Sequence, residues 1–101
     1  MTRRLVFRPE AESELAESRD WYEARGRGLG AEFLRALDAA IAVLQRHPTL
    51  YPVVFGAARR AVLRRFPYSL IYVIDNEDIV IAACIHSRRD PRRWQARIEP
   101  R

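Results

Sequence analysis

The sequence of 101 residues predicts an α+β domain in which two N-terminal helices pack on a small antiparallel sheet. Two observations lead to this class. Apolar residues recur at helical spacing in the first half of the chain, and three short apolar segments with brief links follow in the second half. A chain of this length suits one domain, so residues 1–101 are expected to form a single unit with the order β-α-α-β-β-β.

The first half predicts one strand followed by a helical hairpin. Residues 2–7 have the composition of a short strand, and residues 8–26 that of a helix with Pro9 in its first turn. Residues 29–47 predict a second helix that ends before Pro48. The apolar stripe of this helix consists of Leu29, Phe33, Leu37, Ile41 and Leu44. The link "GRGLG" holds three of the four glycines and favours antiparallel helices.

The second half predicts a loop and then three strands joined by hairpins. The stretch "PTLYPVVFGAA" is expected to be a loop because of its prolines and glycine. Strands are predicted at residues 60–66, 69–75 and 79–87, with short links between them. The last strand, "IVIAACIHS", is apolar at successive positions, which indicates burial on both faces and a central place in the sheet.

Positive charge is concentrated in two places. The net charge is +5, and every basic residue except the histidines is arginine. Codon bias explains the absence of lysine, but it does not explain where the arginines lie. Four arginines and no acid fall between Arg59 and Arg65, and five arginines with one acid, Asp90, fall between Arg88 and Arg97. Such clusters favour an anionic partner.

Other classes of protein are disfavoured by the composition. Cys84 is the single cysteine, so no intramolecular disulfide can form and a reducing, cytoplasmic location is expected. No apolar run approaches the ~18 residues of a transmembrane helix, and the N-terminal run is too short for a signal peptide. His47 and His86 are far apart in the sequence and lack the close ligand pairs of a zinc site. We therefore expect no membrane association, no metal and no cofactor.

The first candidate site is the stretch "RRAVLRRFPY". In a strand over residues 60–66, Arg60, Val62 and Arg64 would point to one face. Ala61, Leu63 and Arg65 would point to the other. One interpretation is a row of guanidinium groups that binds phosphates or an acidic protein segment. The alternative is an edge strand whose charge only prevents aggregation.

Two further candidates follow the last strand. His86 is either a general base or a hydrogen-bonded residue at the end of the strand. In "RRDPRRW", a turn at Asp90 is expected to order Arg88 and Arg89. Trp94 is expected to anchor the tail on the domain, and the alternative is a platform on which bases stack.

Taken in order along the chain, these features resemble the RelE/ParE superfamily of bacterial toxins from type II toxin–antitoxin modules. The resemblance rests on the element order, the proline after the second helix, "RRFPYSLIYVI" and the closing "IHSRRDPRRW", and it covers nearly the whole chain. The pairing of the last two motifs is similar to the ParE-like, plasmid-stabilisation branch. This implies a cytoplasmic toxin that inhibits DNA gyrase by binding rather than by catalysis.

The resemblance also implies site residues and a partner. The residues expected to contact the target are Arg60, Arg64, Arg65, Arg88 and Arg89, with His86 and Trp94 supporting the local shape. A cognate antitoxin is expected to wrap the toxin. A groove for its amphipathic segment is expected along Leu29, Phe33, Leu37 and Ile41, unless this face packs on the sheet instead.

Three other functions stay open. A RelE-like toxin would cleave mRNA on the ribosome, with His86 as the acid or base and the arginines on the phosphate. The chain departs from that pattern because it has no lysine and no tyrosine after Tyr72. Arginine is a poor proton shuttle, since its pKa is above about 12. The other two possibilities are a non-toxic module that only binds antitoxin and a general nucleic-acid binder.

Overall fold

The structure, a computed structural model, describes residues 3–98. The elements in chain order are β1 (Arg4–Phe7), α1 (Pro9–Arg25), α2 (Leu29–Arg46), β2 (Val53–Phe55), β3 (Ala58–Val62), β4 (Tyr68–Asp75), β5 (Asp78–His86) and α3 (Arg92–Gln95). The α+β class and the predicted order of elements are confirmed, with the strand β2 and the short helix α3 in addition. None of the helices in this part of the chain is long and apolar enough to cross a membrane.

The five strands form one mixed sheet in the order β1-β5-β4-β3-β2. The neighbours from β5 to β2 are antiparallel, as predicted for the hairpins. β1 runs parallel to β5, from Arg4 opposite Asp78 to Phe7 opposite Ile81. β5 lies between β1 and β4, so its predicted central place is confirmed.

Two strand assignments differ from the sequence-based prediction. Val53–Phe55 was predicted as loop, yet it forms the edge strand β2, and all three of its side chains are exposed. β3 was predicted to continue to residue 66, but it ends at Val62. Arg65 has a φ of 71°, in the left-handed region, and the Leu63 amide donates to the Tyr68 carbonyl, so the chain turns here. The predicted alternation of Arg64 and Arg65 across a strand is therefore wrong.

The main core lies between the helices and one face of the sheet. From α2 it contains Phe33, Leu37 and Leu44, which meet Leu70 and Tyr72 of β4. The hairpin between α1 and α2 is held by Glu23, whose carboxylate accepts hydrogen bonds from the amides of Gly28 and Gly30. This contact satisfies two of the amides left open at the start of α2.

A second, smaller core covers the other side of the sheet, which we call the far face. Trp94 and Ile98 of the C-terminal segment pack there against small and β-branched residues of the sheet. The sheet residues in this cluster are Ala58, Ile71, Ala82 and Ala83. An irregularity in the β4–β5 register inserts Ala82 as an extra residue, so that Ala82 and Ala83 belong to the same face. The C-terminal segment thereby closes a third layer over β5.

Candidate functional site

Two segments that are distant in sequence meet at one end of the sheet. Tyr68, the first residue of β4, is paired with His86, the last residue of β5. Beyond this pair, the Ser87 amide donates a 2.7 Å hydrogen bond to the Pro67 carbonyl. The β3–β4 loop and the segment after β5 therefore lie side by side. We call this region the basic end, and its arginines are Arg64, Arg65, Arg88, Arg89 and Arg93.

The arginines of the basic end are exposed and carry charge that no acid neutralises. Within residues 3–98, none of the five forms an ion pair, whereas their neighbours Arg92 and Arg97 are paired with Asp90 and Glu14. Unpaired guanidinium groups that lie close together raise the local positive potential, and they present donors suited to carboxylates and phosphates. Four of the five arginines predicted as target contacts belong to this surface.

The remaining predicted contact, Arg60, lies on the far face. Its Nε donates a 3.0 Å hydrogen bond to the hydroxyl of buried Ser69, and the arginine is half-buried beside Ile71. The structure therefore does not bring Arg60 into the basic end. Its neighbour Arg59 has a structural role. Its side chain donates to the carbonyls of Thr49 and Tyr51 and thereby fixes the loop before β2.

His86, rather than Asp90, orders the first two arginines of the tail. Its Nδ1 accepts a 3.0 Å hydrogen bond from the Arg88 amide, and its carbonyl accepts one from the Arg89 amide. Asp90 does start a turn, in which its carbonyl accepts from the Arg93 amide and its carboxylate accepts from the Arg92 amide and side chain, but these bonds hold the residues after it. Hydrogen bonds from Arg92 lower the pKa of Asp90. His86 thus fits the hydrogen-bonded interpretation, with its ring packed edge-on against Tyr68 at 5.1 Å.

Trp94 anchors the tail, as expected. Its side chain is 4% exposed, lies in the far-face core and meets the Phe55 ring edge-on at 6.0 Å. A ring buried to this extent offers no face for a base to stack on, so that alternative is excluded. Trp94 supports the basic end by holding the segment that carries it.

The antitoxin groove predicted along α2 is not an open surface at its two central residues. Phe33 and Leu37 are fully buried in the main core, because the stripe of α2 packs on the sheet and against α1. They cannot line an open groove. The other two residues of the predicted groove, Leu29 and Ile41, are partly buried.

The sequence did not reveal a cleft between α1 and the basic end. This cleft, the edge cleft, has a volume of about 70 Å³. α1 contributes Glu14, Glu17 and Ser18 to its walls, and the opposite side includes His86, Arg89 and Arg93. The spacing of the three α1 residues places them on one helix face, but nothing in the sequence indicates that β5 lies opposite.

One ion pair joins the tail to α1 through Glu14, which also lines the edge cleft. Both guanidinium nitrogens of Arg97 donate to the Glu14 carboxylate, at 2.9 and 2.8 Å, and Nη1 also donates to the Ala82 carbonyl. Glu14 accepts a further bond from the Cys84 amide at 3.1 Å. The contact with Glu14 raises the pKa of Arg97. This pair was not predicted, since its members are separated by most of the chain.

The chemistry that the arginines of the site supply is anion binding. Arginine holds its proton at neutral pH and cannot transfer it. The thiol of Cys84 is also inert as a nucleophile, because burial, and secondly the charge of Glu14, raise its pKa to about 12. Within residues 3–98, no group of three or more histidine, cysteine or acidic side chains is arranged to hold a metal ion.

Comparisons with known proteins agree with this fold. A family model described as the ParE toxin of type II toxin–antitoxin system, parDE, matches residues 5–91. A solved structure described as the chromosomal ParDE TA system from P. aeruginosa superposes with a TM-score of 0.74. The two chains are 18% identical, and the match covers 84% of this chain and 96% of that one, so this likeness supports the fold alone. No curated protein sequence matches the chain.

Proposed function

Because the chain belongs to the ParE toxin family of type II toxin–antitoxin systems, we propose that it inhibits DNA gyrase and that a cognate antitoxin neutralises it. The observation that carries the proposal is the basic end, where exposed arginines have no acidic partner within residues 3–98. Such a surface suits binding to an acidic region of another protein. The arginines supply no proton transfer, which favours inhibition by binding over catalysis.

The test replaces two arginines of the basic end and compares them with a matched pair elsewhere. Arg88→Ala with Arg89→Ala removes two exposed charges at the basic end. Arg27→Ala with Arg35→Ala removes two exposed charges from the helical hairpin. After induction in bacterial cells, pulse labelling should show DNA synthesis failing before protein synthesis with the unmodified chain and with the hairpin variant. The basic-end variant should leave both rates unchanged.

Purified gyrase provides the second measurement. Supercoiling by gyrase should be inhibited by the unmodified chain and by the hairpin variant, and inhibition by the basic-end variant should be lost. Equal thermal denaturation midpoints for the three chains would show that folding is unaffected. The proposal fails if protein synthesis stops first, or if the basic-end variant stays fully toxic.

A second candidate is a ribosome-dependent mRNA interferase. The observation that favours it is the position of His86, which lines the edge cleft together with Tyr68, Arg89 and Arg93. His86→Ala separates the two functions, because it should silence a nuclease and leave a gyrase inhibitor active. A chain that binds antitoxin and causes no growth defect would instead be a non-toxic binding module.

A further inference from the structure

β5 continues past the point where its neighbour β1 leaves the sheet. The ladder between the two strands ends at Phe7 opposite Ile81, and the Arg8 amide makes the last backbone contact, to the Ile81 carbonyl at 2.9 Å. β1 cannot follow β5 further because Pro9 begins α1. From Ala82 to His86, this edge of β5 therefore has no strand beside it in the described part of the chain.

Side chains occupy the first part of this edge. Arg97 donates to the Ala82 carbonyl, and Glu14 accepts from the Cys84 amide, so the ion pair takes the place of a strand there. The next two outward groups are the Cys84 carbonyl and the His86 amide. They lie on the same side as the Cys84 amide, because the N–H and C=O groups of residues i and i+2 in a strand point to the same edge. Both point away from β4, because the Ser87 bond to Pro67 makes Tyr68–His86 and Leu70–Cys84 non-hydrogen-bonded pairs of the ladder, and no other group among residues 3–98 bonds to them.

The free edge opens into the edge cleft, where Arg89 and Arg93 exceed Glu17 by one positive charge once the Glu14–Arg97 pair is set aside. Arg89 and Arg93 line it and are unpaired within residues 3–98, and Glu17 stands opposite them on α1. The other acid in the cleft, Glu14, is already paired with Arg97. The cleft thus combines an unused backbone donor and acceptor with two guanidinium groups that have no counterion.

We propose that the edge of β5 at Ile85 binds an extended acidic peptide segment. In the parallel arrangement that β1 already has with β5, one peptide residue opposite Ile85 makes both backbone bonds. Its amide donates to the Cys84 carbonyl, and its carbonyl accepts from the His86 amide. Acidic side chains of the segment pair with Arg89 and Arg93. Strand addition of this kind is a common mode of peptide recognition.

The proposal goes beyond gyrase inhibition, and its test needs neither gyrase nor cells. The ¹⁵N-labelled chain is titrated with acetyl-Val-Asp-Val-Glu-Val-amide at low salt, and the His86 amide resonance is followed by NMR. We expect a saturable downfield shift of its proton. Acetyl-Val-Lys-Val-Lys-Val-amide, and the acidic peptide with its inner amides N-methylated, should leave this resonance unchanged.

Two matched variants then locate the charges. Arg89→Glu with Arg93→Glu should weaken peptide binding roughly tenfold, since two surface ion pairs become repulsive. Arg64→Glu with Arg65→Glu makes the same change of charge outside the edge cleft and should have a much smaller effect. Because the peptide comparisons use the unmodified chain, they remain decisive even if a variant is unstable.

Three results would overturn the proposal. The first is saturation by the acidic peptide without any change at the His86 amide. The second is equal binding of the lysine peptide or of the N-methylated peptide. The third is displacement of the acidic peptide from the same amide by a single-stranded oligothymidylate of higher affinity, which would assign the edge cleft to nucleic acid. None of these results bears on whether the chain inhibits gyrase.

Discussion

The ion pair between Arg97 and Glu14 is expected to make a large contribution to the stability of this small domain. Arg97→Ala removes the two hydrogen bonds to Glu14 and the one to the Ala82 carbonyl. It leaves the carboxylate with only the Cys84 amide as a partner. The side chains are 15% and 22% exposed, so water reaches the vacated groups only in part.

The magnitude lies between two limits. Breaking a fully buried ion pair costs about 3–5 kcal/mol, and an exposed pair contributes less than about 1 kcal/mol. Hydrogen bonds to charged groups contribute about 1.5–3 kcal/mol each before the residual solvation of the partners is counted. For a pair that is mostly but not fully buried, we expect a loss of about 2–3 kcal/mol. In a domain of this size, that lowers the melting temperature by about 10–20 °C.

The assay is urea and thermal denaturation followed by circular dichroism, and Arg92→Ala provides the control. Arg92 pairs with Asp90 through a similar bidentate contact at 2.8 Å, but its side chain is 85% exposed. We expect that variant to unfold at nearly the same urea concentration and temperature as the unmodified chain, because solvent screens an exposed pair. If Arg97→Ala is no more destabilising than Arg92→Ala, burial does not strengthen the Glu14 pair and the argument above is wrong.

Two other predictions concern buried polar groups. The pKa of Cys84 is raised to about 12, so very little thiolate forms at pH 8. A disulfide reagent should therefore react with this thiol only after the chain unfolds. Stoichiometric reaction with the native chain within minutes would contradict this. Tyr72→Phe removes the 2.7 Å hydrogen bond from the hydroxyl to the Pro48 carbonyl. Urea denaturation should show that the free energy of unfolding falls by about 1–2 kcal/mol. An unchanged midpoint would show that water replaces the hydroxyl.

The helices and the two long strands could be predicted because their residues bury one regular face. Phe33 and Leu37 repeat at helical spacing, and both are fully buried. Val53 and its two neighbours in β2 are exposed on an edge, so the alternation that marks a half-buried strand is missing. β3 ends early because Arg65 has a left-handed backbone conformation. Glycine and asparagine indicate that conformation in a sequence, but an arginine does not.

The sequence indicated which arginines belong to the candidate site, but not how they lie relative to one another in space. Arg64 and Arg88 come together only because the Ser87 amide reaches the Pro67 carbonyl across the β4–β5 end. Contacts of this kind depend on strand register, which composition does not encode. The Arg97 contact with Glu14 links residues 83 apart and has no local pattern at all.

The same contacts that hold the tail leave Arg88, Arg89 and Arg93 without an ion-pair partner among residues 3–98. Residues 87–93 are fixed at one end by the hydrogen bonds of His86 and at the other by buried Trp94, with the Arg97 ion pair just beyond. The entropy of ordering this segment is therefore lost on folding rather than on binding, which favours affinity for a partner. It follows that a substitution at Arg97 should weaken target binding without removing any contact to the target. An Arg88 substitution, in contrast, should weaken binding while leaving stability unchanged.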